Sequence, residues 1–285
     1  NRMRSFILAI IMILAVTGCS FEKPNAVIEN TAVQTQYQVT DDKGNILHFS
    51  ESPKRIYATT LSLEEILTDM VPLKRIAAIS EPAADPKTSL IIDKAAQIPL
   101  KLPQKVSVEQ ILALKPDLVI VQENSNTAFI QDLKDVGLKV YITKVPTTLD
   151  MVRQRIINLS VAVNEQQQGN RIIDELDHKT KLVKDVTGAI PAEEKKILMG
   201  YSLLGVFGSA EGLFNDICIN AGVINGAAVA GLVRGEHLSK EKIVEVNPDV
   251  LMFPDYSSTQ EGDTVLFRKE VLKDPALQSI KAIKN

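Results

Sequence analysis

Two stretches of the chain share one pattern of hydrophobic and polar positions. Residues 106–121 read VSVEQILALKPDLVIV, and residues 238–253 read LSKEKIVEVNPDVLMF. In each stretch a serine precedes a glutamate, apolar residues follow at helical spacing, and Pro-Asp leads into an apolar run. This pattern predicts a short helix capped by Ser107 or Ser239, ended by the proline and followed at once by a buried strand. One such unit in each half predicts two similar lobes, and a two-lobed protein usually works in the cleft between them.

Strand and helix patterns alternate through the rest of the predicted amino-terminal lobe, residues 37–147. Residues 37–49 alternate around the turn-forming Asp-Lys-Gly-Asn and predict an edge hairpin. The other elements predicted in this lobe are strand 55–58, helix 63–69, strand 75–79, helix 107–115, strand 117–122, helix 127–136 and strand 139–144. The alternation favours a mostly parallel sheet covered by helices on both faces.

The middle of the chain, residues 148–187, has helical patterns only. Apolar residues form a helical stripe over residues 149–163, and residues 165–186 continue with many charges and no proline. A helix over those 22 residues is about 33 Å long, which is enough to pass from one lobe to the other. A stiff helix between lobes predicts a small closure of the cleft instead of a wide hinge motion.

Residues 188–285 repeat the order of the first lobe. Strands are predicted at 196–201 and 206–208, and helices at 212–221 and 264–272 flank the second repeat unit. The predicted fold class is therefore α/β, with two similar lobes that are each a mostly parallel sheet flanked by helices, joined by one long rigid α-helix. The pattern stops at Asn285 where a further strand is expected, so we expect this lobe to be truncated at its end.

The first residues predict export. Arg2 and Arg4 precede an apolar run over residues 6–16, which is too short to span about 30 Å of hydrocarbon as a helix. Leu-Ala-Val-Thr-Gly-Cys at residues 14–19 resembles a bacterial lipoprotein box, which implies cleavage before Cys19 and lipidation of that residue. We expect a signal peptide at 1–18, a lipidated tether at 19–36 and an extracytoplasmic protein in the cell envelope, held to the membrane by lipid alone. The alternative is a plain signal peptide with a chance cysteine.

Composition narrows the possible partners. Without residues 1–18 the chain has 30 Lys and Arg against 35 Asp and Glu, a formal charge of −5, and no basic stripe interleaved with aromatic residues. A nucleic-acid partner is therefore not expected. If Cys19 carries lipid, Cys218 is the only thiol left, so no disulfide forms within the chain. Cys218 lies in an apolar helical pattern and is expected to be a small core residue.

The motifs that identify common enzyme classes are missing from the sequence. Gly-Tyr-Ser-Leu-Leu-Gly at 200–205 is one residue too long for a nucleophile elbow, and no glycine-rich phosphate loop is present. The three histidines, His48, His178 and His237, are far apart, and no Cys or His pair has the spacing of metal ligands. We therefore predict no catalytic residue, no metal site and no cofactor.

Several of these features together resemble the substrate-binding proteins of ABC importers, and among them the ferric-siderophore, haem and cobalamin group. They are the lipoprotein box, the segments Pro53–Tyr57 and Glu64–Leu67, the repeated unit, the interlobe helix and residues 212–225. The resemblance runs from about residue 52 to the end. It implies a monomer that binds a ferric siderophore or haem between its lobes and delivers it to a permease dimer with its ATPase.

The resemblance also suggests how each part is used. In that group a glutamate of each lobe docks in arginine pockets of the permease, and by position these match Glu109 and Glu241. Helix capping alone is the other explanation for both, because a carboxylate is favoured in the first turn of a helix. The group's Gly-Gly-Asn is Gly-Val-Ile-Asn at 222–225, and the chain has no tryptophan. The missing tryptophan disfavours cobalamin and leaves ferric siderophores and haem open.

Ligands of open α/β sheets bind beyond the carboxyl ends of the strands. The candidates at those positions are Thr60, Glu81, Asn124, Tyr201, Ser202 and Tyr256. The loop 231–237 adds Arg234, whose planar guanidinium suits an anionic chelate, and His237; solvated loop residues are the alternative for both. The rival functions are cobalamin binding, a secreted two-lobed enzyme and an adhesion or structural lipoprotein.

Overall fold

The computed structural model describes residues 36–254 and 263–284. The expected signal peptide, Cys19 with its tether up to residue 35, and Tyr256 therefore lie outside the described residues. Across the two described ranges, no helix combines the length and the apolarity needed to cross a membrane.

The amino-terminal lobe is built around a parallel sheet of three strands. In chain order its elements are β1 (Tyr37–Thr40), β2 (Ile46–Phe49), β3 (Ile56–Ala58), α1 (Leu61–Met70), β4 (Ile79–Ser80), α2 (Ile92–Ala95), β5 (Lys101–Leu102), α3 (Val108–Ala113), β6 (Leu118–Gln122), α4 (Thr127–Asp135) and β7 (Val140–Thr143). The parallel sheet has the order β3–β6–β7, β4 pairs in parallel with β5, and β1 and β2 form the predicted antiparallel hairpin.

Strand β6 is the centre of this lobe because its side chains are apolar on both faces. Leu118 and Ile120 pack into one cluster with α1 and α5, whereas Val119 and Val121 pack into another with α3 and α4. All four are fully buried. A strand buried on both faces is what a parallel sheet covered by helices requires.

The prediction of a strand at residues 75–79 is wrong for most of that range. Residues Leu73–Arg75 form a 3₁₀ turn, Ile76 makes one isolated bridge to Ile56, and pairing resumes only at β4. The Arg75 guanidinium donates to the Pro53 carbonyl at 2.7 Å and to the Glu165 carboxylate at 2.6 Å. These contacts with distant parts of the chain hold the segment as a turn, and a local pattern does not contain them.

Two long helices follow the first lobe, α5 (Leu149–Ala162) and α6 (Gln166–Thr187), and they pack on each other. A Cβ at Gly169 would lie 2.5 Å from the Ser160 Cβ, so this glycine permits the close approach of the two helices. Helix α6 also contacts α1 of the first lobe and α7 of the second. The predicted long helix between the lobes is therefore confirmed.

The carboxy-terminal lobe repeats the α/β plan with a sheet of four strands. Its elements are β8 (Ile197–Ser202), β9 (Gly205–Phe207), α7 (Leu213–Asn220), β10 (Ile224–Asn225), α8 (Gly226–Val229), α9 (Lys240–Val246), β11 (Val250–Met252), α10 (Thr264–Lys273) and α11 (Lys281–Lys284). The order β10–β8–β11 is parallel, and β9 turns back antiparallel on β8. Met199, Ile243, Leu277 and Ile280 are fully buried in its core. The predicted fold class is confirmed, with one antiparallel strand added.

Candidate functional site

The carboxyl ends of β3 and β6 present a group of neutral polar side chains, which we call the polar rim: Thr59, Thr60, Ser62 and Gln122. The Gln122 side-chain amide donates to the Ser62 hydroxyl at 3.0 Å and to the Thr60 hydroxyl at 3.4 Å. The Thr59 hydroxyl donates to the Ile120 carbonyl at 3.3 Å. Strand β6 and the start of α1 thus fix several hydroxyl and amide groups at one sheet edge, where α/β proteins bind ligands.

Below this edge lies a buried carboxylate that sequence reasoning missed. Glu64 is 2% exposed and accepts hydrogen bonds from the Ser80 backbone N–H and the Ser80 hydroxyl, each at 2.6 Å. Burial raises the pKa of Glu64, and the two bonds from Ser80 oppose that rise. Glu64 therefore fixes the end of β4 and the start of the turn that carries the candidate Glu81. Its position between Leu63 and Leu67, on the apolar face of α1, was the available signal.

The candidates Glu81 and Asn124 are both exposed and lie directly after strands. Glu81 begins a 3₁₀ turn after β4, and Asn124 lies in the turn after β6. Next to Asn124, the Glu123 carboxylate contacts the Lys43 ammonium at 3.0 Å and accepts a bond from the Val145 N–H at 3.1 Å. These two bonds, that from Lys43 first, lower the pKa of Glu123. Glu81 and Asn124 are thus exposed beyond the ends of their strands, whereas Glu123 holds the loop.

Tyr201 and Ser202 separate to opposite faces of β8. Tyr201 packs edge-on against Phe267 with ring centroids 5.3 Å apart, and it lines a surface groove between α9 and α10. Ser202 donates to the Gly205 carbonyl at 3.1 Å and accepts from the Leu204 N–H at 3.2 Å. Of these two candidates, the structure places Ser202 at the end of β8, where it bonds to the turn before β9, and packs Tyr201 against Phe267 of α10.

His237 lies against this same turn. Its Nδ1 atom is 3.4 Å from the point where a Cβ on Gly205 would be, and Gly205 has a φ of +103°. His237 and Arg234 are both exposed in the loop before α9. The structure therefore brings His237 next to Gly205, whose carbonyl accepts from Ser202, and leaves Arg234 exposed.

Asn225 fixes the neighbouring loop, a role that sequence reasoning did not assign. Its side-chain N–H groups donate to the Gly208 carbonyl at 2.5 Å and to the Asn215 side chain at 3.2 Å, and its side-chain oxygen accepts from the Ala227 N–H at 3.1 Å. Asn225 is 3% exposed, so these bonds satisfy a buried amide. They hold the segment after β9 against α7 and α8.

Glu109 and Glu241 occupy equivalent exposed positions in the first turns of α3 and α9. Ser107 accepts from the Gln110 N–H at 3.2 Å, and Ser239 accepts from the Lys242 N–H at 3.2 Å. The pKa of each glutamate is lowered, first by its own backbone N–H and then by the hydroxyl of its cap serine. Both carboxylates are therefore exposed and ionised at neutral pH.

The described residues contain no group of three His, Cys, Asp or Glu side chains that could hold a metal ion. Cys218 is buried in α7, as expected for a small core residue, and burial raises the pKa of its thiol. A buried thiol with a raised pKa is a poor nucleophile.

Comparison with known proteins adds to this geometry. The family model for "Periplasmic binding protein" matches residues 45–285. The Fe(3+)-citrate-binding protein YfmC of Bacillus subtilis is 22% identical over 95% of this chain and 83% of its own length. The molybdate-binding protein MolA of Haemophilus influenzae is 27% identical over 63% of this chain and 54% of its own length. Among solved structures, the periplasmic heme-binding protein RhuT of Roseiflexus sp. RS-1 superposes with a TM-score of 0.65 at 24% identity, over 81% of this chain and 86% of that one.

Proposed function

Because the chain belongs to the periplasmic binding protein family, we propose that it captures an iron chelate or haem between its lobes and delivers it to the permease of an ABC importer. Members of this family are solute-binding transport proteins. The observation that carries the proposal is the polar rim, which lies at the sheet edge where α/β proteins bind ligands and contains no general base beside a nucleophile. Anchoring through lipid on Cys19 is part of the same proposal.

Two features favour an oxygen-rich or haem-like ligand. Thr59, Thr60, Ser62 and Gln122 supply neutral donors and acceptors, which suit the carboxylate and hydroxyl oxygens of an iron chelate. His237, exposed beside Gly205, supplies a nitrogen donor of the kind that binds haem iron. The relatives that bind ferric citrate and haem support this class of ligand.

Ligand class is tested with the purified chain. Haemin and ferric citrate are titrated in separate experiments, followed by the visible spectrum and by calorimetry, with cyanocobalamin and molybdate as rival ligands. We expect saturable one-to-one binding of haemin or ferric citrate. Saturable binding of cyanocobalamin or molybdate alone, or chemical turnover of any of the four, would contradict the proposed ligand class.

The rim is tested by Gln122→Ala. Loss of its amide contacts should weaken the ligand that binds by about two- to tenfold, the equivalent of about one hydrogen bond. Gln131→Ala is the matched control, because Gln131 is an exposed glutamine of α4 that bonds only to Asp135 on its own helix. If both variants bind as the unchanged chain does, the rim is not the ligand site.

Docking is tested separately from ligand binding. Glu109→Gln combined with Glu241→Gln should leave ligand affinity unchanged and remove stimulation of the permease ATPase, because each change deletes an exposed charge. Glu245→Gln on α9 is the control, since Glu245 is an exposed glutamate of the same helix outside its first turn. Full stimulation by the double variant would assign Glu109 and Glu241 to helix capping alone.

A further inference from the structure

Within residues 36–254 and 263–284, one hydrogen bond connects the two lobes beyond the continuous chain. The Asp216 carboxylate of α7 accepts a bond from the Leu149 backbone N–H, the first residue of α5, at 2.7 Å. Among the residues that the structure describes, no other hydrogen bond and no ion pair joins residues 36–187 to residues 192–284.

Both partners of this bond are held firmly. The Leu149 N–H belongs to the first turn of α5, where backbone N–H groups have no partner within the helix and the helix dipole favours a carboxylate. Helix α5 is anchored in the amino-terminal core through Ile156 and Leu159, which are 3% and 0% exposed. On the other side, the Asn220 side-chain amide donates to the Asp216 carbonyl at 2.8 Å and contacts its carboxylate at 3.3 Å.

A second contact between the lobes lies at the far end of α6. A Cβ on Gly222 would lie 2.7 Å from the Cβ of Thr187, so the turn after α7 packs directly on the last residue of α6. Helix α7 is therefore held within its first turn, where Asp216 bonds to the start of α5, and just beyond its last residue, where Gly222 packs on the end of α6. Two contacts on different helices restrict rotation of α7, whereas one contact permits it.

We propose that Asp216 is a positioning residue that sets the angle between the lobes, and therefore the width of the cleft. Its carboxylate touches no ligand in this role; it fixes α7, and with it the rest of the carboxy-terminal lobe, on the start of α5. The proposal depends on the fold and the Asp216–Leu149 bond, and it holds whichever ligand the cleft binds.

The test measures the distance between the lobes without ligand. Spin labels are placed at Asp132→Cys on α4 and Glu245→Cys on α9, two exposed positions, in a full chain carrying Cys19→Ala and Cys218→Ala. Pulsed electron spin resonance should give one narrow distance distribution for the otherwise unchanged chain. Asp216→Ala should broaden it and raise the population outside the main peak about two- to fivefold, the size of a charge–dipole contact at a helix end.

Two further variants make the result decisive. Asp150→Asn removes another carboxylate from the same first turn of α5, but Asp150 pairs with Arg153 on its own helix at 2.8 Å and should leave the distribution unchanged. Asp216→Asn keeps an acceptor oxygen without the charge and should fall between the unchanged chain and Asp216→Ala. Thermal unfolding first checks that each variant folds. If Asp216→Ala does not fold, the distance distribution of Asp216→Asn tests the proposal in its place. An unchanged distribution in the folded Asp216 variants, or an equal broadening by Asp150→Asn, would overturn the proposal.

Discussion

The two repeated αβ units share a serine N-cap, which Gln110 completes to a capping box in the first unit, and they have very different strands. In the first unit Ser107 caps α3, and β6 lies in the middle of its sheet between β3 and β7. In the second unit Ser239 caps α9, but among the described strands β11 lies at the edge of its sheet, paired with β8. Ile120 of β6 and Met252 of β11 occupy equivalent positions, each four residues after the proline of its unit. Ile120 is fully buried, whereas Met252 is 36% exposed. The repeated sequence thus determines local structure, and the neighbours in each lobe determine burial.

The Pro-Asp pair has one role in both units. The Asp117 N–H donates to the Arg55 carbonyl at 3.0 Å, and its carboxylate accepts from the Lys54 and Arg55 N–H groups at 2.6 and 2.9 Å, just before β3. The Asp249 N–H donates to the Ile197 carbonyl at 2.9 Å, and its carboxylate accepts from the Ile197 N–H at 2.9 Å, at the start of β8. In each lobe this aspartate fixes the start of the neighbouring strand, and hence the strand register.

The largest difference in stability between the two units should appear when one strand side chain of each is truncated to alanine. Ile120→Ala should lower the free energy of unfolding by about 3–4 kcal/mol, because it removes buried methyl groups and leaves a cavity. Met252→Ala at the equivalent position should cost less than about 1.5 kcal/mol, because the side chain is already partly in water. Urea unfolding of both variants measures the difference. Equal costs would mean that β11 is as well covered as β6.

Substitution of Asp117 and Asp249 should change the free energy of unfolding by amounts that differ less than those of the core truncations. Asp117→Ala removes an acceptor of two backbone N–H groups and should cost about 1–3 kcal/mol, whereas Asp249→Ala removes an acceptor of one and should cost about 0.5–1.5 kcal/mol. Asp117→Asn and Asp249→Asn, which keep an acceptor oxygen, are the controls. A larger cost for Asp249→Ala than for Asp117→Ala would contradict this account of the repeat.

The contribution of the Asp249 carboxylate to the free energy of unfolding should depend on pH. The bond from the Ile197 N–H holds the pKa of Asp249 below its ordinary value. A carboxyl group with a lowered pKa in the folded state stabilises the fold above its unfolded pKa, and that stabilisation is lost as the pH falls through the folded pKa. The cost of Asp249→Ala should therefore shrink in acid, and urea unfolding at neutral and acidic pH measures it.

Local pattern was enough to predict the elements whose stability is local. The repeated helices, the long helix α6 and the alternating lobes are set by caps, prolines and apolar spacing within a few residues. The sequence pattern gave wrong or missing predictions where contacts between distant parts of the chain determine the structure. The turn at Arg75 depends on Pro53 and Glu165, and the Asp216–Leu149 bond joins residues 67 positions apart.

The candidate site was predicted in part, for a similar reason. The predicted strand ends located Thr60 of the polar rim. They did not show that Tyr201 and Ser202 lie on opposite faces of β8. Successive side chains of a strand point to opposite faces, so Tyr201 shares a face with the buried Met199 and Ser202 does not. That alternation was readable in the sequence. The apolar face of α1 indicated that Glu64 is buried, but its bonds to Ser80 were not readable, because they depend on how α1 packs against β4.

The smallest effects should be equal in the two lobes. Ser107→Ala and Ser239→Ala should each cost about 1 kcal/mol, because each removes one N-cap acceptor from an exposed helix end. Each change should also raise the pKa of Glu109 or Glu241 toward the ordinary value, although only partly, since the glutamate's own backbone N–H remains. NMR titration of the two carboxyl groups and urea unfolding measure both effects. Because a lowered glutamate pKa stabilises the fold only above the unfolded pKa, both costs should shrink in acid. Unequal costs would show that even the starts of the two helices depend on the lobe around them and not on the repeated sequence alone.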